Sequence, residues 1–512
     1  MALHSSVSPH PHYFCSSLGR SLSLPSASRS FVHIPTTRRL NFSIRCSISQ
    51  VYNYGSVDYE RRPLSKWNHI YRRISLMENP EVGAASVMNQ IEKEGKKITK
   101  WELCRVVREL RKYKKYQLAL EVYEWMNNRI ERFRLFNSDI AIQLDLVAKV
   151  RGISSAEDYF LRLPDSVKDK RIYGALLNAY VGAKMRDKAE PLMEQMRNKG
   201  YAVHPLPFNV MMTLYMKLGE YDIVDSLISE MKQQNIQLDT YSYNIWLSAR
   251  GSQGSVEGME EVFEQMKLDT GINPNWTTFS TMATFYIRLG QLREAEQCLK
   301  HLETRIVDRD RMPYHYLISL YGSMGNKGEV YRVWNMYKSV FPTIPNLGYY
   351  AIISSLLRMG EIQGAEKIYD EWMLAKSTYD PKIGNLLMGW YVKEGLFEKA
   401  ESLFDQMAEG GGNPGSSTWE ILAEGHIRQK RLSDALSCFK EAASAPGSQS
   451  WRPKPVNVTA MLELCKRGGN EDSKEALIEL LRQLGCSLDE TYPSALSRFS
   501  GIDDVDASYK LN

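Results

Sequence analysis

Apolar residues recur at the fourth, seventh and eighth places of a unit about 35 residues long. In the unit starting at Trp276 they are Phe279, Met282 and Ala283, and in the unit starting at Asn346 they are Tyr349, Ile352 and Ile353. That i, i+3, i+4 spacing lays them on one face of a helix. A second helix follows in each unit. In seven of the ten units it opens near a small residue at the twentieth place: Ala119, Ala156, Ala189, Ala295, Ala365, Ala400 and Ala435. Seven places on comes a larger apolar residue: Met126, Leu163, Met196, Met231, Met266, Leu302, Tyr337, Trp372 and Met407. The small side chain lets the two helices approach closely. The methionine stripe, at helical spacing in unit after unit, is core packing rather than a copper or haem box. One glycine punctuates the joint, as Gly219, Gly254, Gly290, Gly325, Gly360 and Gly395, at intervals of 35, 36, 35, 35 and 35 residues. A repeat near that period marks a helical solenoid, because one helix pair leaves an apolar face bare and must stack on its neighbours.

The expected fold is therefore all-α, a right-handed superhelical α-solenoid of about ten 35-residue helix-turn-helix repeats. The units fall at 100–136, 137–169, 170–204, 205–239, 240–275, 276–310, 311–345, 346–380, 381–415 and about 416–450. Ahead of them, residues 51–99 read as a polar, aromatic connector and a capping helix from about Asn79 to Glu94, with Val87, Met88 and Ile91 at helical spacing. The Gly-, Ser- and Pro-rich stretch Ala442–Lys454 breaks the register. A last helix pair is expected from Val456 to about Leu484, so that residues 451–512 hold capping helices and a loose tail.

Composition adds limits. The chain has 512 residues, 43% hydrophobic and 24% charged, which is ordinary for a soluble globular protein. It contains no run of about 18 uncharged apolar residues, so no membrane span is expected. Seven scattered cysteines form no CxxC pair, which argues against a disulfide framework or structural zinc and for thiols in a reducing compartment. The net charge of +5 is local. Residues 1–50 carry five arginines and no Asp or Glu, leaving 60 basic against 60 acidic residues beyond them. Thirteen of those fifty residues are serine, and the first arginine is Arg20. This is the composition of an organelle transit peptide, and the late first arginine favours a chloroplast over a mitochondrion. A nucleic-acid partner would need a local basic surface rather than a global field.

No motif points to catalysis. There is no H-x-E with a downstream C-x-x-C, no P-loop, no G-x-S-x-G and no H-E-x-x-H. Acidic pairs such as Glu260-Glu261 and Asp503-Asp504 read as solvated. Neither an enzyme, a metal, a cofactor nor a small-molecule substrate is expected.

The period of 35, the mostly bulky eighth place (Leu177, Met212, Leu247, Ala283, Ile318, Ile353, Met388) and the Tyr or Phe followed by a polar residue in Phe208-Asn209 and Tyr243-Asn244 separate these units from tetratricopeptide repeats. They resemble the pentatricopeptide repeat family, and its simple P-type members in particular, over roughly residues 100–450. The resemblance implies single-stranded RNA as partner, about one base per repeat. It implies that the fifth and last residues of a repeat read the base. Asn209 with Asp239 then favours U, Asn244 with Asn275 favours C or U, and Ser280 with Asp310 favours G, giving a core of 5′-U-(C/U)-G-3′. Asn385 is a further candidate, although its pairing with Gly415 is not standard. Gly174 with His204, His315 with Pro345 and Tyr350 with Asp380 also depart from the pattern.

A separate feature is the thirteenth place, which is basic in seven of the ten units: Lys112, Lys149, Lys217, Arg288, Arg358, Lys393 and Arg428. Stacked repeats would align these as a column suited to an RNA backbone. Residues 105–116, with six basic side chains, would extend it. The rival reading is a helical-repeat scaffold that binds proteins.

Overall fold

The computed structural model describes residues 66–75, 77, 83–307, 310–375, 379–445 and 451–486. The transit-like segment lies outside them, as do the tail from 487 and parts of the 51–82 and 442–454 connectors. Among the described residues the protein is all-helical, an α-solenoid of 24 helices. Its Cα positions group into two compact units, divided between Pro313 and Tyr314.

The first unit holds seven helix pairs: α1 (Lys66–Ser75) with α2 (Gly83–Lys93), α3 (Lys100–Lys112) with α4 (Tyr116–Asn127), α5 (Asn137–Arg151) with α6 (Ile153–Arg162), α7 (Lys170–Ala183) with α8 (Arg186–Asn198), α9 (Pro205–Leu218) with α10 (Tyr221–Gln233), α11 (Thr240–Ser252) with α12 (Val256–Leu268), and α13 (Trp276–Arg288) with α14 (Leu292–Glu303). First helices of successive pairs pack side by side, as α5 on α7, α7 on α9, α9 on α11 and α11 on α13. The second unit holds five: α15 (Met312–Ser323) with α16 (Lys327–Val340), α17 (Asn346–Arg358) with α18 (Ile362–Ala375), α19 (Pro381–Lys393) with α20 (Phe397–Glu409), α21 (Ser416–Arg428) with α22 (Leu432–Ser444), and α23 (Pro455–Gly468) with α24 (Glu471–Gln483). There too α17 packs on α19 and α19 on α21.

The sequence pattern explains this packing. All seven alanines at the twentieth place are fully buried. So are the large residues seven places on, except Leu163, where α6 has already ended. All six periodic glycines have φ between +74° and +81°, the left-handed region in which a side chain is strained. Three other repeats carry lysine at that fifteenth place, and Lys114, Lys184 and Lys430 adopt the same conformation, with φ of 58°, 60° and 61°.

The N-terminal segment departs from expectation. Part of what read as a connector is α1, packed on α2 and α3. Trp67, Ile70 and Ile74, all buried, form its apolar face. Their i, i+3, i+7 spacing is present in the sequence but diluted among six charged or polar neighbours, Lys66, Asn68, His69, Arg72, Arg73 and Ser75.

Candidate nucleic-acid interface

Four of the last-place residues hold the first helix of the next repeat. Asp169, Asp239, Asn275 and Asp380 are the N-caps of α7, α11, α13 and α19. Their side-chain oxygens accept backbone N–H groups that the helix leaves unpaired. Asp239 accepts from the Ser242 amide at 2.7 Å, and Asn275 from the Thr277 and Thr278 amides at 3.0 and 3.3 Å. Asp310 accepts from the Met312 amide at 3.0 Å. Burial raises the pKa of its carboxyl, opposed by hydrogen bonds from Met312 and from the Trp276 side chain. Helix capping is thus a structural reason for Asp or Asn at this place.

The fifth-place residues lie on the first helices, one turn in. The structure brings Asn209 and Asp239 together: Asn209 Nδ2 donates to Asp239 Oδ1 at 3.1 Å. The other end of the Asn209 amide accepts from Ser242 Oγ at 2.7 Å. Asn244 and Asn275 are joined through Thr277. Asn244 Nδ2 donates to Thr277 Oγ1 at 2.8 Å, and Thr277 Oγ1 donates to Asn275 Oδ1 at 2.6 Å. Ser280 Oγ instead turns to its own helix and donates to the Thr277 carbonyl at 2.9 Å, with Asp310 bonded elsewhere. Asn385 keeps a buried Oδ1 with no hydrogen-bond partner. Asn209, Asn244 and Ser280 are only 2%, 4% and 0% exposed. Adjacent first helices close over them, α9 against α11 and α11 against α13.

Helix α13 shows how. Every residue from Trp276 to Tyr286 is buried. Its hydroxyls are satisfied along their own helix, Thr281 to the Thr277 carbonyl at 2.9 Å and Thr284 to the Ser280 carbonyl at 2.6 Å. Gly251 of α11 makes room for α13, since a Cβ there would sit 2.3 Å from Phe285 Cγ.

The basic column is divided in its behaviour. Lys217 Nζ donates to the Val181 carbonyl near the end of α7 at 3.1 Å. Arg358 donates to the Ser319 carbonyl at 3.2 Å and to Ser323 Oγ, both on α15. Carbonyls near a helix C-terminus attract cations, so these two side chains join neighbouring repeats. Lys149 pairs with Asp145 at 2.8 Å, as does Arg111 at 3.1 Å. Burial lowers the Lys149 pKa to about 8, partly offset by the Asp145 carboxylate. Lys112 lies 4.0 Å from Glu109. Arg288, Lys393 and Arg428 are exposed. Arg288 lies over the Phe285 ring at 5.3 Å, and Arg428 donates to Glu424 at 3.0 Å.

Sequence reasoning missed Ser242 and Thr277, the hydroxyls that tie one repeat's fifth residue to the next repeat's cap. The available signal was an Asp or Asn followed two or three places on by Ser or Thr at a helix start. Among the described residues no group of three or more His, Cys, Asp or Glu is placed to hold a metal ion, and no helix is long and apolar enough to cross a membrane.

Comparison with known proteins locates this architecture. The Pentatricopeptide repeat domain model matches residues 226–286, and the PPR repeat model matches 207–236, 277–305 and 385–411. A pentatricopeptide repeat-containing protein of Arabidopsis thaliana is 61% identical over 481 residues, 94% of this chain and 90% of the relative. The large ribosomal subunit protein mL101 of the same plant is 35% identical over 431 residues, 83% of this chain and 87% of the relative. Further Arabidopsis relatives at 32% identity are named as mitochondrial proteins. A solved structure of the pentatricopeptide repeat protein PPR10 with an 18-nt psaJ RNA element aligns at 18% identity and a TM-score of 0.46, over 82% of this chain and 60% of that one. With relatives this similar along most of both chains, the protein belongs to the pentatricopeptide repeat family.

Proposed function

We propose that the protein binds single-stranded RNA sequence-selectively, in an organelle, as a P-type member of its family. The observation that carries this reading is the chain of contacts between fifth- and last-place side chains, Asn209 with Asp239 and Asn244 through Thr277 with Asn275. These are amide and carboxylate groups able to pair with base edges, one set per repeat. The core read is 5′-U-(C/U)-G-3′, with Ser280 and Asp310 at the third base. The protein acts by occupancy: a held RNA segment is shielded from nucleases or kept out of competing structure, which affects processing, stability, splicing or translation.

The acid-free, serine-rich residues 1–50 support organelle import. Their late first arginine favours a chloroplast, whereas the names of several relatives favour a mitochondrion. A fluorescent fusion of residues 1–50 decides between them.

Charge reversal tests the RNA reading. The full chain should bind a random single-stranded RNA pool with an affinity that falls as salt rises, and Arg288→Glu should weaken it. Arg288 is the cleaner site, since Lys217 and Arg358 also hold neighbouring helices. A second reading is a scaffold that binds proteins. The balanced charge of residues 51–512 and the relative that is a large ribosomal subunit protein favour it. Under that reading RNA binding is absent at low salt and a protein complex survives Arg288→Glu.

A further inference from the structure

The hydrogen bonds around Asn244 fix which way its amide points. The Thr277 and Thr278 backbone N–H groups, which can only donate, converge on Asn275 at 3.0 and 3.3 Å. The atom they meet is therefore the amide oxygen, Oδ1. Thr277 Oγ1 lies 2.6 Å from that same oxygen and spends its one proton on it. Toward Asn244, 2.8 Å away, Thr277 can then only accept, so Asn244 must present Nδ2 to it. The Asn244 carbonyl oxygen is turned to the other side. That oxygen is buried and has no hydrogen-bond partner, and the residue as a whole is 4% exposed. A buried acceptor left unpaired is costly, and a ligand N–H at that place relieves the cost. The matching residue of the preceding repeat differs, since Asn209 Oδ1 already accepts from Ser242 Oγ at 2.7 Å.

We infer that Thr277 is a positioning residue that locks the Asn244 amide with its acceptor turned away from Thr277, so that the repeat 240–275 selects uracil over cytosine. This rests on the RNA-binding reading above and narrows it. Uracil carries an imino N3–H at the centre of its pairing edge, which can satisfy the waiting oxygen. Cytosine brings an unprotonated N3 to the same place and sets acceptor against acceptor. Amide and base are otherwise compatible with either pyrimidine, and the choice comes from the hydroxyl of the next repeat.

The test compares two single-stranded RNAs with the cores 5′-UUG-3′ and 5′-UCG-3′ in the same oligoadenylate flanks, against the full chain. The wild type should prefer the first by about tenfold, the effect of one mispaired buried acceptor. Thr277→Val removes the lock and should bring the two affinities together, and Thr277→Ser, which keeps the hydroxyl, should retain the preference. Thermal melts accompany each variant. Should Thr277→Val fold poorly, Asn275→Ala serves instead, because it releases the Thr277 proton and should also erase the preference. Equal binding of both RNAs by the wild type, a preference for cytosine, or a preference untouched by both Thr277→Val and Asn275→Ala would overturn the inference while leaving RNA binding intact. Binding of neither RNA at low salt would overturn the RNA reading and this inference together.

Discussion

Replacing Gly251 with alanine adds one methyl group where two first helices meet. The new Cβ would lie 2.3 Å from Phe285 Cγ and 2.6 and 2.7 Å from its Cδ atoms. Carbon atoms rest about 3.5 Å or more apart, so the ring must retreat by about 1.2 Å. It has little room to do so, because α13 is enclosed from Trp276 to Tyr286. Overpacking of this kind costs about 1–3 kcal/mol, and the enclosure argues for the upper end. Against it stands a gain of about 1 kcal/mol for alanine over glycine inside a helix. The net expectation is a loss of about 2 kcal/mol. Stacked repeats need not unfold as one unit, so the readout is amide hydrogen exchange over residues 240–290, which should speed by roughly 30-fold. Gly182→Ala in α7 is the control. No atom lies within 4 Å of its added Cβ, and it should gain about 0.5 kcal/mol. Combining Gly251→Ala with Phe285→Leu should recover part of the loss. If Gly251→Ala stabilised the protein as Gly182→Ala does, the close approach of α11 and α13 described above would be wrong.

Other consequences follow from single residues. Gly290→Ala should cost about 1–2 kcal/mol although no atom lies near its Cβ, because its φ of +81° alone opposes a side chain; Lys184→Gly, at the equivalent place with φ of 60°, should gain about 0.5 kcal/mol, both read by thermal melting. Burial holds the Lys149 pKa at about 8 against an ordinary 10.5, so the folded protein loses this proton before the unfolded chain does. Stability from this group therefore rises with pH between about 8 and 10.5. Lys149→Met should abolish that rise while Arg111 keeps Asp145 paired, measured as the wild-type minus variant difference in urea midpoint across the window. Arg358→Glu should lower the melting temperature by breaking its hold on α15, whereas Arg288→Glu should leave it nearly unchanged and act on RNA affinity instead.

The helix pairs were legible because most carry a redundant signal. The apolar face, the small twentieth residue and the turn glycine all report the same 35-residue step. Where the signal was single it failed: α1 rests on Trp67, Ile70 and Ile74 within a charged decapeptide. The candidate site was legible in residue type but not in accessibility. Periodicity says which helix face is apolar, not how near the next helix comes, and that distance depends on residues such as Gly251, whose partner Phe285 is 34 positions away. The same separation hid the Asn244–Thr277 bond, which joins residues 33 apart. The basic column was legible as composition, while its division into inter-repeat ties such as Lys217 and exposed cations such as Arg288 depends on where the preceding helix ends.

Base-specific recognition is tested most directly by selecting bound sequences from a random single-stranded RNA pool with the full chain at two salt concentrations. The account predicts enrichment of a motif containing U, a pyrimidine and G in that order, lost with Asn244→Ala or Ser280→Ala. Absence of any binding at low salt would contradict it and leave the protein scaffold as the reading to pursue.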